Sequence, residues 1–437
     1  MDSLPGDVLG DVLALLPPRS LAACRGVCKA WRAAVDAGGL LRSDLLPLSV
    51  RGFFIGTDMP SCPFFFRRPS SSSTARKIAG AGLDYLQDMG YDQDIAMIRG
   101  YCNGLLLLDQ CVANPATRRW ARLPPYPPSP EKMEGFHYKE CIAFEPAVSP
   151  HYRVVRLPYV PISELEGKFD GGIEWPMDPF VIQVFSSGSQ RWEHRLLVRE
   201  QGEAAARCTL GDTRQFYSPY SVTCHDAVFW HQALYVKCMD GFLIRVSLSD
   251  DSKYQVIKMP TRNDGREADL RIGKSKNGVY CALLHGNHQL QVWLLHEFGG
   301  KRDWVLMHDA NLDALWKRVT WKYSIDADGP WKLDTDYCGE ANEKPEEEEE
   351  LEWDSDNDNV LNIEDVDSGN WCCYIPIIGF HPYKEVIFFH VDLSSAIAYH
   401  WNSSKFQFMG NLYVMSYAQT SLESYSVYTP CWIGDLS

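Results

Sequence analysis

The sequence lacks the features that mark membrane proteins, nucleic-acid-binding proteins and most nucleotide-dependent enzymes. No apolar run approaches the roughly 18 residues that a membrane-spanning helix needs. No glycine-rich phosphate loop of the Walker type is present. Positive charge is scarce, since 42 Lys and Arg stand against 57 Asp and Glu, and the net charge is −15. Because nucleic-acid binding needs a basic face, we expect no nucleic acid and no membrane among the partners.

The 14 cysteines show no metal-binding or disulfide pattern. They fall at irregular spacings without a Cys-x-x-Cys pair, and the N-terminal residues lack the basic and apolar regions of a signal peptide. We therefore expect free thiols in a reducing compartment, which means a cytoplasmic and/or nuclear location.

Patterns that resemble catalytic or metal sites are all incomplete. The segment Gly273–Gly278 is one residue too long for a nucleophile elbow. His285 and His288 have no third ligand at a suitable spacing, so we interpret them as a solvated pair. The segment Asp354–Asn359 alternates oxygen-bearing side chains as a calcium loop does, but Asn359 stands where a glycine is expected. We expect no catalytic residue, no metal and no cofactor.

One segment carries most of the negative charge. From Glu340 to Asp367 there are 14 acidic residues and one lysine, so the rest of the chain is close to neutral. Because like charges repel one another, we predict that residues 340–370 form a disordered acidic insert. A docking loop for a basic partner is the alternative interpretation.

Residues 4 to 37 show the apolar spacing of α-helices. Pro5 suits a first helical position, and Pro17-Pro18 ends the first helix. The unit is too small to bury its own apolar side chains. It is therefore either a helical cap on the following domain or a module that buries an apolar face against a partner.

After residue 48, short aromatic and β-branched runs alternate with turn residues. Similar units recur every 40 to 50 residues, a period typical of four-stranded propeller blades. Five units are visible, and pairing of Arg51–Ile55 with Tyr425–Trp432 completes a sixth. An irregular pair of β-sandwiches is the alternative. Longer loops are predicted at 60–76, 124–136, 163–178 and 199–220.

At its N-terminal end the chain resembles an F-box. The residues that carry the resemblance begin with Leu4-Pro5, continue through a helix ending in Leu16-Pro17, and finish with a Val27-Cys28-Lys29 step and Trp31-Arg32. F-boxes are three-helix modules that bind the small adaptor of SCF-type ubiquitin ligases. The resemblance implies adaptor-binding roles for Leu4, Pro5, Val8, Leu9, Val12, Leu13, Leu16, Pro17, Leu21, Val27, Cys28 and Trp31.

A second resemblance lies downstream. Cys102–Leu107, Asn114–Trp120 and Leu123-Pro124 resemble the opening of the F-box-associated β domain of plant F-box proteins, which is described as kelch-like or propeller-like. The residues also have a physical interpretation, because Asn103-Gly104 is a hairpin turn signal.

These patterns predict an α+β multidomain protein, in which a three-helix F-box precedes an all-β domain. The predicted domains are an F-box at residues 1–45 and a β-propeller of about six blades at residues 46–437, with the acidic insert inside it. The expected function is the substrate-recognition subunit of an SCF-type cullin-RING ubiquitin ligase. The expected partners are a SKP-family adaptor, a cullin that binds through this adaptor, and an unknown protein target. The sequence does not identify the substrate-binding residues. A propeller enzyme with a channel-mouth site and an F-box scaffold outside the ligase are the alternatives.

Overall fold

The computed structural model describes most of the chain after residue 50 and scattered residues before it. The described residues are 9–10, 12–13, 27–29, 31, 34, 50–57, 63–68, 78, 80–89, 97–130, 133, 135–146, 148–160, 172–200, 208–209, 227–238, 241–249, 251–260, 268–285, 288–298, 301–313, 329–334, 375–391, 395–412, 422–432 and 436.

The first two strands form a hairpin, and the next four strands form a separate, complete sheet. β1 (Gly52–Thr57) pairs with β2 (Phe64–Arg67), and a 3-10 helix covers Asp84–Met89. The sheet that we call blade 1 consists of β3 (Ile98–Cys102), β4 (Leu105–Leu108), β5 (Cys111–Asn114) and β6 (Arg119–Arg122) in chain order. All four leucines of β4 are buried, because both faces of this sheet are covered.

Blades 2 and 3 are joined into one eight-stranded sheet. Their outermost strands pair in parallel, with Val198 opposite Lys253. A separate two-stranded sheet joins β9 (Glu174–Trp175) to β12 (Cys208–Thr209). Blade 2 consists of β7 (His137–Ala143), β8 (Arg153–Tyr159), β10 (Phe180–Ser186) and β11 (Arg191–Arg199), and blade 3 of β13 (Ala227–Trp230), β14 (Ala233–Cys238), β15 (Phe242–Ser247) and β16 (Lys253–Lys258).

Blades 4 and 5 are antiparallel sheets of four consecutive strands. Blade 4 consists of β17 (Ala268–Ser275), β18 (Gly278–His285), β19 (Gln289–Phe298) and β20 (Lys301–Asn311). The short β21 (Lys332–Asp334) follows, and blade 5 consists of β22 (Ile377–Phe380), β23 (Val386–Val391), β24 (Ser395–His400) and β25 (Lys405–Asn411).

Blade 6 combines three distant parts of the chain. The last strand, β26 (Leu422–Tyr428), pairs with β1, and β2 pairs with β21, so the strand order is β21-β2-β1-β26. Gly52 lies opposite Tyr428 and Ile55 opposite Tyr425. The pairing of the two chain regions that the sequence indicated is therefore present.

The described blades form a propeller-like arrangement whose core lies between neighbouring sheets. In β23, Ile387 and Phe389 pack toward blade 4, whereas Val386 and Phe388 pack toward blade 6. Successive side chains of a strand point to opposite faces, so a strand buried on both sides reads as an unbroken apolar run. The same kind of packing joins Tyr428 of blade 6 to Leu106 of blade 1.

The predicted α+β fold class is wrong for the described residues. Leu9, Val12, Leu13, Lys29 and Trp31 have helical backbone, but the described chain has no helix of seven or more residues. The predicted three-helix F-box is not seen, and most of residues 4–37 lie outside the described part. What the structure shows instead is β architecture, because two-sided burial of aromatic and β-branched residues dominates the described chain.

Among the described residues, no helix is long and apolar enough to cross a membrane.

Cys102, Cys111 and Cys141 carry buried free thiols. The predicted acidic insert at 340–370 lies outside the described residues.

Phe53 provides a test of the closing blade. Its ring packs against Phe66 and Trp331 within blade 6 and against Phe388 of blade 5, and the residue is 1% exposed. We expect Phe53→Ala to lower the free energy of unfolding by about 3–5 kcal/mol, because it leaves a cavity between two blades. Urea denaturation followed by tryptophan fluorescence measures this change.

The matched control is Val305→Ala, since Val305 is an apolar residue of blade 4 that is 45% exposed. Its effect should stay within about 0.5 kcal/mol. Equal changes in the free energy of unfolding for the two substitutions would contradict the packing role that we assign to Phe53 in blade 6.

Candidate functional site

Six segments meet at one end of the propeller-like arrangement. Each segment follows one edge strand of a blade, and these edge strands contact one another from blade 1 through to blade 6. These edge strands are β3, β7, β13, β17, β22 and β26, and the residues that follow them are 103–104, 144–152, 231–232, 276–277, 381–385 and 429–432. Because these edge strands run in the same direction around the central axis, the segments gather at one end of that axis, which we call the channel mouth.

Lys274, at the end of β17, is the central side chain of this mouth. Its Nζ donates to Oδ1 of Asn103 at 3.4 Å and lies 3.9 Å from Oε2 of Glu145. The same Nζ lies 5.4 Å from the centroid of the Trp230 ring. A single lysine of blade 4 thus contacts residues of blades 1, 2 and 3.

The other two blades contribute a hydroxyl pair. Tyr383 of blade 5 is hydrogen-bonded to Thr429 of blade 6. Burial raises the pKa of the Tyr383 phenol, and nearby Glu145 and Cys102 raise it further. We call Asn103, Glu145, Trp230, Lys274, Tyr383 and Thr429 the channel-mouth cluster. It takes one residue from each blade.

Local turn chemistry holds Asn103 in place. Asn103 and Gly104 both have positive φ, of 44° and 87°, as the predicted Asn-Gly hairpin turn requires. Nδ2 of Asn103 donates to the carbonyl of Phe144 at 2.7 Å, which leaves Oδ1 for Lys274. A Cβ on Gly104 would lie 2.5 Å from Cβ of Cys431, so only glycine fits between blades 1 and 6.

Burial keeps several groups at this mouth neutral. Loss of hydration raises the pKa of Tyr383 to about 12 and that of the Cys102 thiol to about 11. The imidazole of His381 is buried, and this lowers its pKa to about 3. None of these groups is therefore suited to act as a base or nucleophile at neutral pH.

The cluster is suited to binding rather than to metal chemistry. The side chains of Lys274 and Glu145 are 18% and 26% exposed, so this ion pair is accessible to a partner. Trp230 stacks on His231 with 4.4 Å between ring centroids and presents a partly exposed aromatic surface. The described residues contain no group of three or more His, Cys, Asp and Glu placed to hold a metal ion.

The predicted adaptor-binding residues are only partly described. Leu4, Pro5, Val8, Leu16, Pro17 and Leu21 lie outside the described residues. Val12 and Val27 are exposed apolar side chains, at 52% and 63%, and Cys28 is exposed. Leu13 is 1% exposed, and Leu9 and Trp31 are partly buried.

Sequence reasoning missed the cluster as a site. The sequence pattern identifies Asn103 only as a turn residue, and Lys274 lies in the segment Gly273–Gly278, which is one residue too long for a nucleophile elbow. The available signal is positional, because each cluster residue follows one edge strand of its blade or lies at the end of that strand. The interpretation of His285 and His288 as a solvated pair is wrong, since His285 is buried and Nδ1 of His288 lies 3.2 Å from Oδ1 of Asp313.

Comparison with known proteins identifies an F-box-like region at the N-terminal end of the chain. Residues 1–44 match the F-box-like family model. The chain is 23% identical over 344 residues to F-box protein At5g03970 of Arabidopsis thaliana, covering 71% of this chain and 70% of the relative. It is 22% identical over 318 residues to F-box protein At3g07870 of the same plant, covering 70% of this chain and 72% of the relative.

The class is therefore a protein with an N-terminal F-box-like domain and a propeller-like β region. The similarity to Arabidopsis F-box proteins over about 70% of the chain confirms the prediction of a plant F-box protein. This relationship supports an F-box adaptor-type role and, in general, binding of a SKP-type adaptor.

The raised pKa of Tyr383 predicts a pH-dependent loss of stability. The folded state favours the neutral phenol, whose pKa is about 12, whereas the phenol of an unfolded chain has a pKa near 10. The stabilisation is fully present below pH 10 and is lost as the pH rises through 12. Urea denaturation of the wild type and of Tyr383→Phe should show a smaller loss between pH 10 and 12 in the variant.

The two proteins should show the same pH dependence from pH 7 to 9, where the phenol is neutral in both states. If the free energy of unfolding fell equally in the two proteins between pH 10 and 12, Tyr383 would ionise as readily in the folded state as in the unfolded state.

Proposed function

We propose that this chain is the substrate-recognition subunit of an SCF-type cullin-RING ubiquitin ligase. The observation that carries the proposal is the F-box-like match at residues 1–44 in front of a propeller-like β region. Such a chain binds the ligase through one region and a target through the other. Its proposed location is the cytoplasm and/or the nucleus.

The N-terminal region supplies the adaptor contact in this proposal. Val12 and Val27 present apolar surface that a single small module leaves exposed. Protein interfaces combine such apolar centres with polar rims, and truncation of a central apolar contact often costs about 2 kcal/mol or more. A SKP-family adaptor, and through it a cullin, is the proposed partner.

The proposed role is non-catalytic. The subunit acts by proximity, because it holds a target beside the ubiquitin carrier and raises the effective concentration of the reacting groups. Transfer chemistry then belongs to other subunits. The neutral state of Tyr383 and Cys102 at the channel mouth supports a binding role for that site.

The channel-mouth cluster is the proposed contact for the target. The ion pair of Lys274 and Glu145 offers one donor and one acceptor in a partly buried setting, and Trp230 offers an aromatic surface beside them. Tryptophan is enriched among the energetically important residues of interfaces, and complementary charges contribute to specificity and association rate.

Simultaneous substitution of Leu4, Pro5 and Leu9 by alanine tests the adaptor contact. We expect the affinity for a purified SKP-family adaptor to fall by at least about tenfold, because apolar area is lost at the centre of the proposed interface. Isothermal titration calorimetry with the full chain measures the affinity. The matched control is Val148→Ala, since Val148 is a 66% exposed apolar residue of the β region.

Adaptor binding that survives the triple substitution would sink the proposed contact. Binding of the adaptor without incorporation of a cullin would favour a scaffold that works outside the ligase.

Lys274→Ala tests the target contact separately. Proximity labelling under proteasome inhibition should lose the target proteins enriched by the wild type and keep the adaptor and the cullin, because the variant lacks only the ion pair and the contact with Trp230. Adaptor affinity should remain unchanged, since the substitution lies in blade 4. The matched control is Lys405→Ala, an exposed lysine of β25. An unchanged set of labelled proteins in Lys274→Ala would exclude the cluster as the target site.

A further inference from the structure

The connection between blades 1 and 2 has an unusual backbone. From Leu123 to Pro130, every residue is either a proline or the residue before a proline. Proline fixes φ near −65°, and the residue before it is driven to the extended region. The segment is accordingly free of helix, strand and turn, as the predicted loop at 124–136 indicates for these residues. It has the composition of a polyproline II segment.

One side of this segment is held on blade 2. Nε1 of Trp192 donates to the carbonyl of Pro124 at 3.1 Å, and Nε2 of Gln183 donates to the carbonyls of Pro127 and Pro128 at 3.3 and 3.4 Å. The guanidinium carbon of Arg156 lies 3.8 Å from the centroid of the Tyr126 ring. These contacts fix the segment in its extended conformation against the sheet.

The other side of the segment faces solvent. Pro125 and Pro128 are exposed, whereas Pro124, Pro127 and Pro130 are partly buried, which is the threefold periodicity of a polyproline II helix. Ser129 is also exposed, and its hydroxyl makes no hydrogen bond with the residues that the structure describes. An extended, solvent-facing serine followed by a proline is thus presented on a rigid support.

Two other Ser-Pro or Thr-Pro pairs of the described chain have different surroundings. Oγ of Ser149 accepts a hydrogen bond from the backbone N–H of His151 at 3.1 Å, and Ser149 is partly buried. Thr429 is 7% exposed and is hydrogen-bonded to Tyr383. Within the described residues, Ser129-Pro130 alone combines exposure with an extended backbone and an unengaged hydroxyl.

We propose that Ser129 is a phosphorylation site for a proline-directed protein kinase. The γ-phosphoryl group of a nucleoside triphosphate is transferred to Oγ of Ser129, a nucleoside diphosphate leaves, and the hydroxyl proton passes to the catalytic aspartate of the kinase. Pro130 lacks an N–H, so it fills an apolar pocket after the serine without burying an unpaired donor. In the sequence, Lys132 adds a positive charge three positions after Ser129.

The modification would leave the contacts on blade 2 in place. The carbonyls that bind Trp192 and Gln183 lie on the docked side of the segment, whereas Ser129 faces outward. A phosphate would add a charge of about −1.5 to −2 on an already ordered backbone. Because the backbone is already ordered, the segment loses little conformational entropy when it binds a partner. This favours recognition of the phosphorylated segment by a cationic partner surface.

The test uses the full folded chain, a recombinant cyclin-dependent kinase–cyclin pair and adenosine triphosphate, with sites mapped by mass spectrometry. We expect phosphate on Ser129, loss of that phosphate in Ser129→Ala, and at least about tenfold slower incorporation in Pro130→Ala. Phosphate on Ser149 or Thr429 should appear at least about tenfold more slowly than on Ser129, because these residues need local opening. Ser149→Ala should leave the total incorporation unchanged.

A synthetic peptide of residues 121–133 separates the contribution of sequence from that of structure. Modification of the peptide together with the folded chain supports the proposal. Modification of the peptide but not of the folded chain would show that the docked segment cannot enter a kinase cleft, and modification of neither would show that the sequence is no substrate. Either of these last two results would overturn the proposal.

Discussion

The pairing of β1 with β26 is the interaction on which the rest of the β region depends. Every blade is apolar on both faces, so every blade needs a neighbour on each side. An open row of such sheets leaves two apolar faces in water, whereas a closed ring leaves none. Closure requires one sheet to combine early and late parts of the chain, and blade 6 does this by taking β26 beside β1 and β2. Phe53 then reaches Phe388 of the preceding blade, and Tyr428 packs with Leu106 of the first.

Closure also creates the channel-mouth cluster. Lys274 meets Asn103 and Glu145 across more than 120 positions of sequence because the ring brings blades 4, 1 and 2 around one axis. The pairing of charges in this partly buried place satisfies groups whose loss of hydration would otherwise be costly. The site therefore exists only when the ring is assembled. A partner that binds it contacts residues from all six blades.

The proposed roles fall on three different parts of the sequence. The F-box-like region at residues 1–44 concerns the adaptor, and the channel mouth concerns the proposed target. The proline-rich connection at residues 123–130 lies on the outside of blade 2, held by Trp192 and Gln183. The channel mouth and the proline-rich connection belong to different parts of a rigidly packed β region, so one of them can change without altering the other.

The sequence by itself determined the features that depend on near neighbours along the chain. The Asn103-Gly104 turn, the extended segment from Leu123 to Pro130 and the F-box resemblance at residues 4–37 all rest on local chemistry and spacing. Repeating apolar runs predicted the propeller-like arrangement, while helical spacing at the N-terminus led to the α+β class that the described residues do not show. Only the tertiary structure decided that β21 joins blade 6 and that Lys274 faces Glu145 and Trp230. These contacts join residues far apart in sequence, and ring closure, which no local pattern encodes, sets their distances.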